Sequence, residues 1–444
     1  MNYRELSQKL VAKCLKYGAD AAEVYIETGR RLSIRLLNSE IDTIQESSSA
    51  GVGFRVIVDG RLGFSHSNDF SSRSLDDTMQ RAVAFAKLTT PDEFNVLPDD
   101  PVVADVSGLY DPEIITVPME RKIEMARELE RLALVDKRIS KSSGSGYGEG
   151  EGEVFIANSN GIAKSYKTTA CSLSVSVVAE KGDQKNTGGE SCSRRFFDDL
   201  IPVDQIAATA AREAYELLDP AMVKTQRASV IFDPDVASSL FGGVIQALNG
   251  ERVLQGASFL GNSLDTSVAS PLLTIYDDGT VSKGMASKPF DGEGVAVRKR
   301  VLIEKGVVKG FLYNSAAAKR AGTVSTGNAS RGGFTSLPGI GTHNVYLEPG
   351  KFSRNEIIAS TERGLLLKGV TGYGIDPVTG NFSGGASGFW IEKGQIVHPV
   401  KGLTIAASAQ EILNGLDMTG NDIDMNRTFA SSTFRIREMQ IGGK

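Results

Sequence analysis

The side chains able to do chemistry in this sequence are few and scattered. Three histidines, His66, His343 and His398, and three cysteines, Cys14, Cys171 and Cys192, are spread over the 444 residues. A protein zinc site gathers imidazole, thiolate or carboxylate ligands, and a helical site announces itself by two of them about one turn apart. No such spacing links these six residues, so each histidine reads as an ordinary hydrogen-bonding side chain. Two carboxylate pairs, Asp277-Asp278 and Asp291 with Glu293, stand among glycines and read as solvated turn residues. Ser387 lacks the Gly-x-Ser-x-Gly setting of a strained nucleophile and has no base nearby in sequence. The glycine-rich run 140–152, SKSSGSGYGEGEG, offers neither G-x-G-x-x-G nor GK[ST], and no helix follows to present its N-terminus to a phosphate.

The most suggestive stretch is 376–402, DPVTGNFSGGASGFWIEKGQIVHPVKG, which contains the only tryptophan, Trp390. It reads as a glycine-rich loop running into two short extended segments, 389–391 and 395–397. Glu392-Lys393-Gly394 between them has the chemistry of a tight hairpin. Pro399 is expected to stop the second segment, because proline donates no ladder bond. A loop and hairpin of this kind suit the wall of a groove, with Gly385, Ser387 and Trp390 as candidate contacts to an extended peptide.

The elements that must position these residues follow from periodicity. Apolar spacing predicts helices over 3–17, 75–87, 119–135 and 203–218, and strands over 21–28, 31–37, 41–45 and 51–58. Asp59-Gly60 marks a hairpin. Residues 90–118, rich in proline and aspartate, read as a long connection, and strands are expected at 153–157, 161–169 and 172–181. The boundary between two domains, 1–220 and 221–444, is placed near 220–227. Beyond it, strand 228–232 leads to Asp233 as N-cap and Pro234 at the first position of a helix whose apolar stripe includes Leu240, Phe241 and Val244. Asn249-Gly250 ends that helix, and the remainder is strand-like apart from short helices over 315–321 and 353–360. Net charge is −5, with 41% hydrophobic and 23% charged residues, the profile of a soluble globular protein with no basic surplus for nucleic acid. The odd cysteine count fits a reduced, cytoplasmic setting. The N-terminus reads as an amphipathic helix rather than a signal peptide, and no run approaches the ~20 apolar residues that span a bilayer.

Several segments, in order, resemble the TldD/PmbA family, and its PmbA (TldE) branch in particular. They are AAEVYIE and GVGFRVIVDGRLGFSHSND near the N-terminus, FDGEGVAVRKRVLIEKGVVKGFL at 290–312, STGNASR at 325–331, HNVYLEPG at 343–350, and the Gly385–Trp390 run with the strand after it. The resemblance implies an α+β fold: an N-terminal α/β domain followed by a C-terminal domain with a large curved antiparallel sheet and one packed helix. The TldD branch is a metallopeptidase with HExxxH on that helix and a further cysteine ligand near the C-terminus. Here the matching positions hold Phe241, Gly242 and Gln246, and every cysteine lies at or before Cys192. The resemblance therefore implies no metal in this chain and zinc in a TldD-type partner. That partner would form a heterodimer with this chain, or the isolated chain would form a homodimer. The assembly would process unfolded peptides, including microcin precursors and antitoxins. Asn328 and Arg331 would lie near the substrate channel. The alternative is the family's older description, a modulator of DNA gyrase acting through protein contacts.

Overall fold

The computed structural model describes residues 2–372 and 374–444. Its first half is one antiparallel sheet with four helices on one face. Helix α1 (Tyr3–Lys16) starts at Asn2, whose side chain accepts from the Glu5 N–H. Strands β1 (Ala21–Leu37), β2 (Glu40–Val58) and β3 (Arg61–Ser67) form a meander, followed by α2 (Ser72–Ala86) and, after the long connection, α3 (Met119–Ala133). Strands β4 (Ile139–Asn158), β5 (Ala163–Lys181) and β6 (Gln184–Arg194) and helix α4 (Val203–Tyr215) complete it. The strand order is β3-β2-β1-β4-β5-β6. Runs read from sequence as separate short strands are continuous here: β1 has 17 residues and β2 has 19. Two-residue turns at Asn38-Ser39 and Asp59-Gly60 carry positive φ at both positions (55° and 63°, 49° and 72°), the twist that closes a hairpin.

Alternation along β1 explains how this sheet is used. Its even-numbered residues, Ala22, Val24 and Ile26, then Leu32, Ile34 and Leu36, are buried beneath the helices. Its odd-numbered residues at one end, Glu23 and Tyr25, are buried on the opposite face, where Tyr25 packs with Val154, Ile156 and Phe290 from the second half of the chain. The glycine-rich run, which sequence left outside the strands, is the first two-thirds of β4. Gly146, Gly148, Gly150 and Gly152 alternate with residues such as Tyr147 and Glu149 that point toward α3. The period is that of a strand, hidden by a residue type that strands disfavour.

The second half is built on a curled sheet. Its strands are β7 (Gln226–Phe232), β8 (Arg363–Thr371), β9 (Asn381–Glu392), β10 (Gln395–Ser408), β11 (Leu416–Thr419) and β12 (Phe434–Gly442), in the order β10-β9-β8-β7-β12-β11. Only β7 and β8 run parallel, and β10 returns to pair with β12, so the sheet closes on itself. Helix α5 (Ala237–Ala247) packs on one face with Val230, Phe232, Leu365 and Phe434, and the short helix Arg354–Ala359 packs on the other. Phe232 and Phe434 stack at 4.9 Å and Phe241 meets Phe434 edge-on at 5.3 Å. A smaller five-stranded sheet, including Ile275–Asp278, Lys299–Glu304 and Asn344–Leu347, faces the first half.

Three local expectations are corrected. Asp233 does not cap a helix with its side chain: a 3₁₀ turn, Pro234–Val236, intervenes, and the carboxylate pairs with Arg354 at 3.0 Å and Lys368 at 3.4 Å. Pro399 does not end its strand. It sits opposite Phe389 in the part of β10 that pairs with β9 and not with β12, a position that tolerates a missing donor, and its carbonyl accepts from the Ala221 N–H at 2.9 Å. The glycines at 384–388 are strand rather than loop. They lie beside a bulge where chains approach closely, and a Cβ on Gly388 would stand 2.0 Å from the Leu366 carbonyl oxygen.

The outer strands of the N-terminal sheet each bear a glycine beneath a helix. A Cβ on Gly63 would stand 2.0 Å from the Ala82 oxygen of α2, and one on Gly188 would stand 2.2 Å from the Ala214 nitrogen of α4. Helix backbone therefore rests directly on sheet, and Gly188→Ala is expected to lower stability by about 1–3 kcal/mol. Gly242→Ala, whose Cβ meets nothing within 4 Å in mid-helix, is expected to be neutral or to stabilise by up to about 1 kcal/mol. Urea denaturation of the two variants measures the contrast, and equal midpoints would remove the close-approach argument.

Candidate functional site

Helix α5 is where the resemblance places a metal. Phe241 points inward and is buried against Phe434, whereas Gln246 is exposed. Positions five apart on a regular helix diverge by about 140°. A phenyl ring in the core, a glycine and an outward carboxamide do not fit a zinc ion. Among the described residues, no three His, Cys, Asp or Glu side chains come together as a ligand set. The three histidines lie far apart in role. His66 is exposed near Phe64 and Phe334, His398 stands beside the Pro399 carbonyl at 3.2 Å, and His343 is buried. All three cysteines are buried, and burial pushes the Cys14 and Cys171 thiols up to about 12, the condition of unreactive thiols.

In the 376–402 stretch, Trp390 is only 3% exposed and its indole fills the core around α5, with Nε1 donating to Glu392 at 3.2 Å. Gly385 pairs with Thr371 and Thr404, and Ser387 is half-buried opposite Gly369. These three residues share one strand without facing a common cavity. Lys393 and Gly394 make the expected tight turn, with φ of 50° and 74°.

The polar site that sequence reasoning missed lies on the seam between the two halves. Arg55 on β2 is buried between two carboxylates, donating through Nη2 to Glu23 at 2.6 Å and through Nη1 to Glu293 at 2.8 Å. Burial works against this cation, but Glu23 and Glu293 outweigh it and hold its pKa above the ordinary arginine value. Arg331 pairs with the other oxygen of Glu23, donates to the Gly292 carbonyl at 2.6 Å and lies over the Tyr25 ring at 4.9 Å. Asp291 accepts from the N–H groups of Glu293, Val295 and Ala329 at 2.8–3.0 Å. Nearby, Asp277 holds His343 through its N–H at 2.6 Å and its ring Nδ1 at 3.0 Å, and takes the Asn328 amide at 2.7 Å.

The two carboxylate pairs expected in solvent are thus buried. Asp277 and Glu293 have no exposure at all, because each is a hub that satisfies backbone or side-chain donors from distant segments. Asn328 and Arg331 belong to the same seam: Arg331 is engaged within the chain, and the Asn328 amide nitrogen donates to Asp277, while its buried Oδ1 has no partner among the described residues. The available sequence signal was Glu23 itself, a charge flanked by Ala22 and Val24 in an apolar strand; the structure sets Arg55 of β2 opposite it.

Two measurements probe the seam. Arg55→Met leaves the buried Glu293 without its cation and Glu23 with Arg331 alone, and is expected to cost about 3–5 kcal/mol in chemical denaturation. A loss below 1 kcal/mol, roughly the worth of a surface pair, would mean the clamp carries little. Desolvation and the neighbouring Glu293 push Asp291 up to about 7 from 3.8. A carboxyl whose pKa is raised by folding binds its proton more tightly in the native state. Its contribution is full below the unfolded value and is lost as pH rises toward 7. Asp291→Asn is expected to flatten the fall in stability between pH 4 and 7, and parallel wild-type and variant profiles would contradict this.

With this geometry in place, comparison with known proteins is informative. The sequence matches the PmbA/TldA metallopeptidase family in three segments: domain 1 over 22–86, the central domain over 112–218 and the C-terminal domain over 225–443. It is 30% identical to the metalloprotease PmbA of Escherichia coli O157:H7 over 99% of this chain and 97% of that protein. The fold superimposes on TldE from Thermococcus kodakarensis with a TM-score of 0.90 and 26% identity, covering 98% of this chain and 99% of the other. It also superimposes on a Bacteroides thetaiotaomicron protein named only as a candidate modulator of DNA gyrase, with a TM-score of 0.91 and 28% identity over 99% of both chains. Whole-length similarity, the three matched segments in order and the curled sheet around one helix together make this chain a member of the PmbA/TldA metallopeptidase family.

Proposed function

We propose that this chain is the non-catalytic subunit of a two-subunit cytoplasmic metallopeptidase that acts on unfolded peptides. The observation that carries the reading is the occupancy of α5: the family's architecture is kept along the whole chain, while Phe241, Gly242 and Gln246 stand where metal chemistry needs two imidazoles and a general base. Zinc, and the water it activates, belong to a TldD-type partner. This chain would complete the chamber and hold substrate, which includes peptide-antibiotic precursors and antitoxins. The three buried, unpaired cysteines accord with a reducing compartment, and no described helix is long and apolar enough to cross a membrane.

Co-expression with the HExxxH homologue of the same organism tests the reading. The two chains are expected to elute together, with about one zinc per pair carried by the partner. Hydrolysis of unfolded casein is expected to need both. A partner fully active alone, with gyrase recovered on this chain instead, would replace the subunit reading with a regulatory one. Restoring the motif by Phe241→His, Gly242→Glu and Gln246→His is expected to yield no peptidase and to cost on the order of 3 kcal/mol of core packing. A folded triple mutant that hydrolyses casein with bound zinc would refute this.

A further inference from the structure

The seam opens into a cleft of about 450 Å³, walled on one side by Tyr25 and Tyr166 from β1 and β5 and on the other by Lys288 and Asp291. That volume lies within the range of small-molecule sites. Its polar groups are unusual in being left over. Among the described residues, the Lys288 amine meets neither a hydrogen-bond acceptor nor a carboxylate at ion-pair distance, and the Tyr25 and Tyr166 hydroxyls likewise have no partner within the chain. Arg195, at the cleft wall, is held entirely by backbone carbonyls: Thr169 at 3.1 Å, Gly284 at 3.3 Å, Met285 at 2.6 Å and Ser287 at 3.4 Å. Its charge has no carboxylate against it. These three donors open to the cleft rather than being sealed in the core, so with the Arg195 guanidinium beside them they are free to meet an acceptor with negative charge.

The acidic groups of the cleft narrow the choice. Both Asp291 oxygens are taken by backbone N–H groups, so this carboxylate does not neutralise Lys288 by contact. Glu27 and Glu153 also line the cleft, and Glu153 is drawn to Lys167 at 3.7 Å. Two further carboxylates disfavour a multiply charged phosphate, whereas a single carboxylate gains the amine and the phenols at less cost in repulsion. Burial lowers the Lys288 pKa, with Asp291 and Asp277 opposing the shift. We infer that this cleft binds the carboxylate of a singly charged acid, with Lys288 as its charge partner and Tyr25 and Tyr166 as hydrogen-bond donors. Two sources share that chemistry: the C-terminus of a peptide and a free small organic acid.

Calorimetric titration of the full chain with N-acetyl-alanyl-alanine, with its C-terminal amide and with propionate tests the inference. At least one of the two acids is expected to bind and the amide to fail. Binding of the peptide acid alone names the peptide source, and binding of propionate identifies the free acid. Lys288→Met is expected to weaken the acid by about tenfold or more, and Tyr166→Phe by about threefold, with Lys16→Met on the exposed face of α1 as control. Should Lys288→Met misfold, limiting acetic anhydride and peptide mass spectrometry serve on the wild type, where acetylation of Lys288 is expected to slow with acid and not with amide. Failure of both acids to bind up to about 10 mM, equal binding of acid and amide, or undiminished binding to folded Lys288→Met would each overturn it. None of these outcomes bears on whether the chain pairs with a zinc-bearing partner.

Discussion

The molecule is organised around one buried cation. Arg55 sits on the far face of the N-terminal sheet from the four helices and is shared between Glu23 of its own sheet and Glu293 of the other half. A charge so deep is costly unless every lone pair and proton around it is answered. The groups that answer it come from both halves: Glu293 also accepts from the Ser315 N–H at 2.8 Å, and Glu23 also takes Arg331, while the Arg55 Nε–H alone of the guanidinium nitrogens is left without a partner among the described residues. The clamp thus fixes register as well as proximity. A slip of β1 by one residue in its pairing with β2 would turn Glu23 into the helical layer, away from Arg55, and bring Ala22 or Val24 to the seam.

Much of the fold was legible because its signals are local. Helices α1 to α4 follow from apolar spacing, and the hairpins at Asp59-Gly60 and Lys393-Gly394 follow from residues that accept positive φ. Long-range features were illegible for the same reason. The glycines of β4 and β9 lower strand propensity, yet they are required where another backbone passes at van der Waals contact or closer, and nothing in a single sequence reports which backbone that is. Strand β6, QKNTGGESCSR, is polar and glycine-bearing for this reason: Gly188 lets α4 settle on it.

The site was harder still. Composition assigns a carboxylate to solvent, and that rule fails where the partner lies hundreds of residues away, as with Glu293 and Arg55. The four carboxylates at 277, 278, 291 and 293 look like turn residues because they are turn and strand-end residues. Their burial is imposed by the other half of the chain. What sequence did expose was the absence of ligands on α5, since that depends only on residue type.

That absence has a structural counterpart. A metal centre ties its helix to the fold through coordinate bonds, whereas α5 is tied by aromatic packing, with Phe241 on Phe434 and Phe434 stacked on Phe232. Burying a phenylalanine is worth roughly 1.5–3 kcal/mol, and well-oriented aromatic pairs add about 0.5–1.5. Those contacts hold the helix without any ion. They also fill the volume that an inward-facing ligand at 241 would need, so packing and zinc binding compete for one position in the core. With that position committed to packing, polar groups without a partner among the described residues are found instead at the seam cleft, in Lys288, Tyr25 and Tyr166.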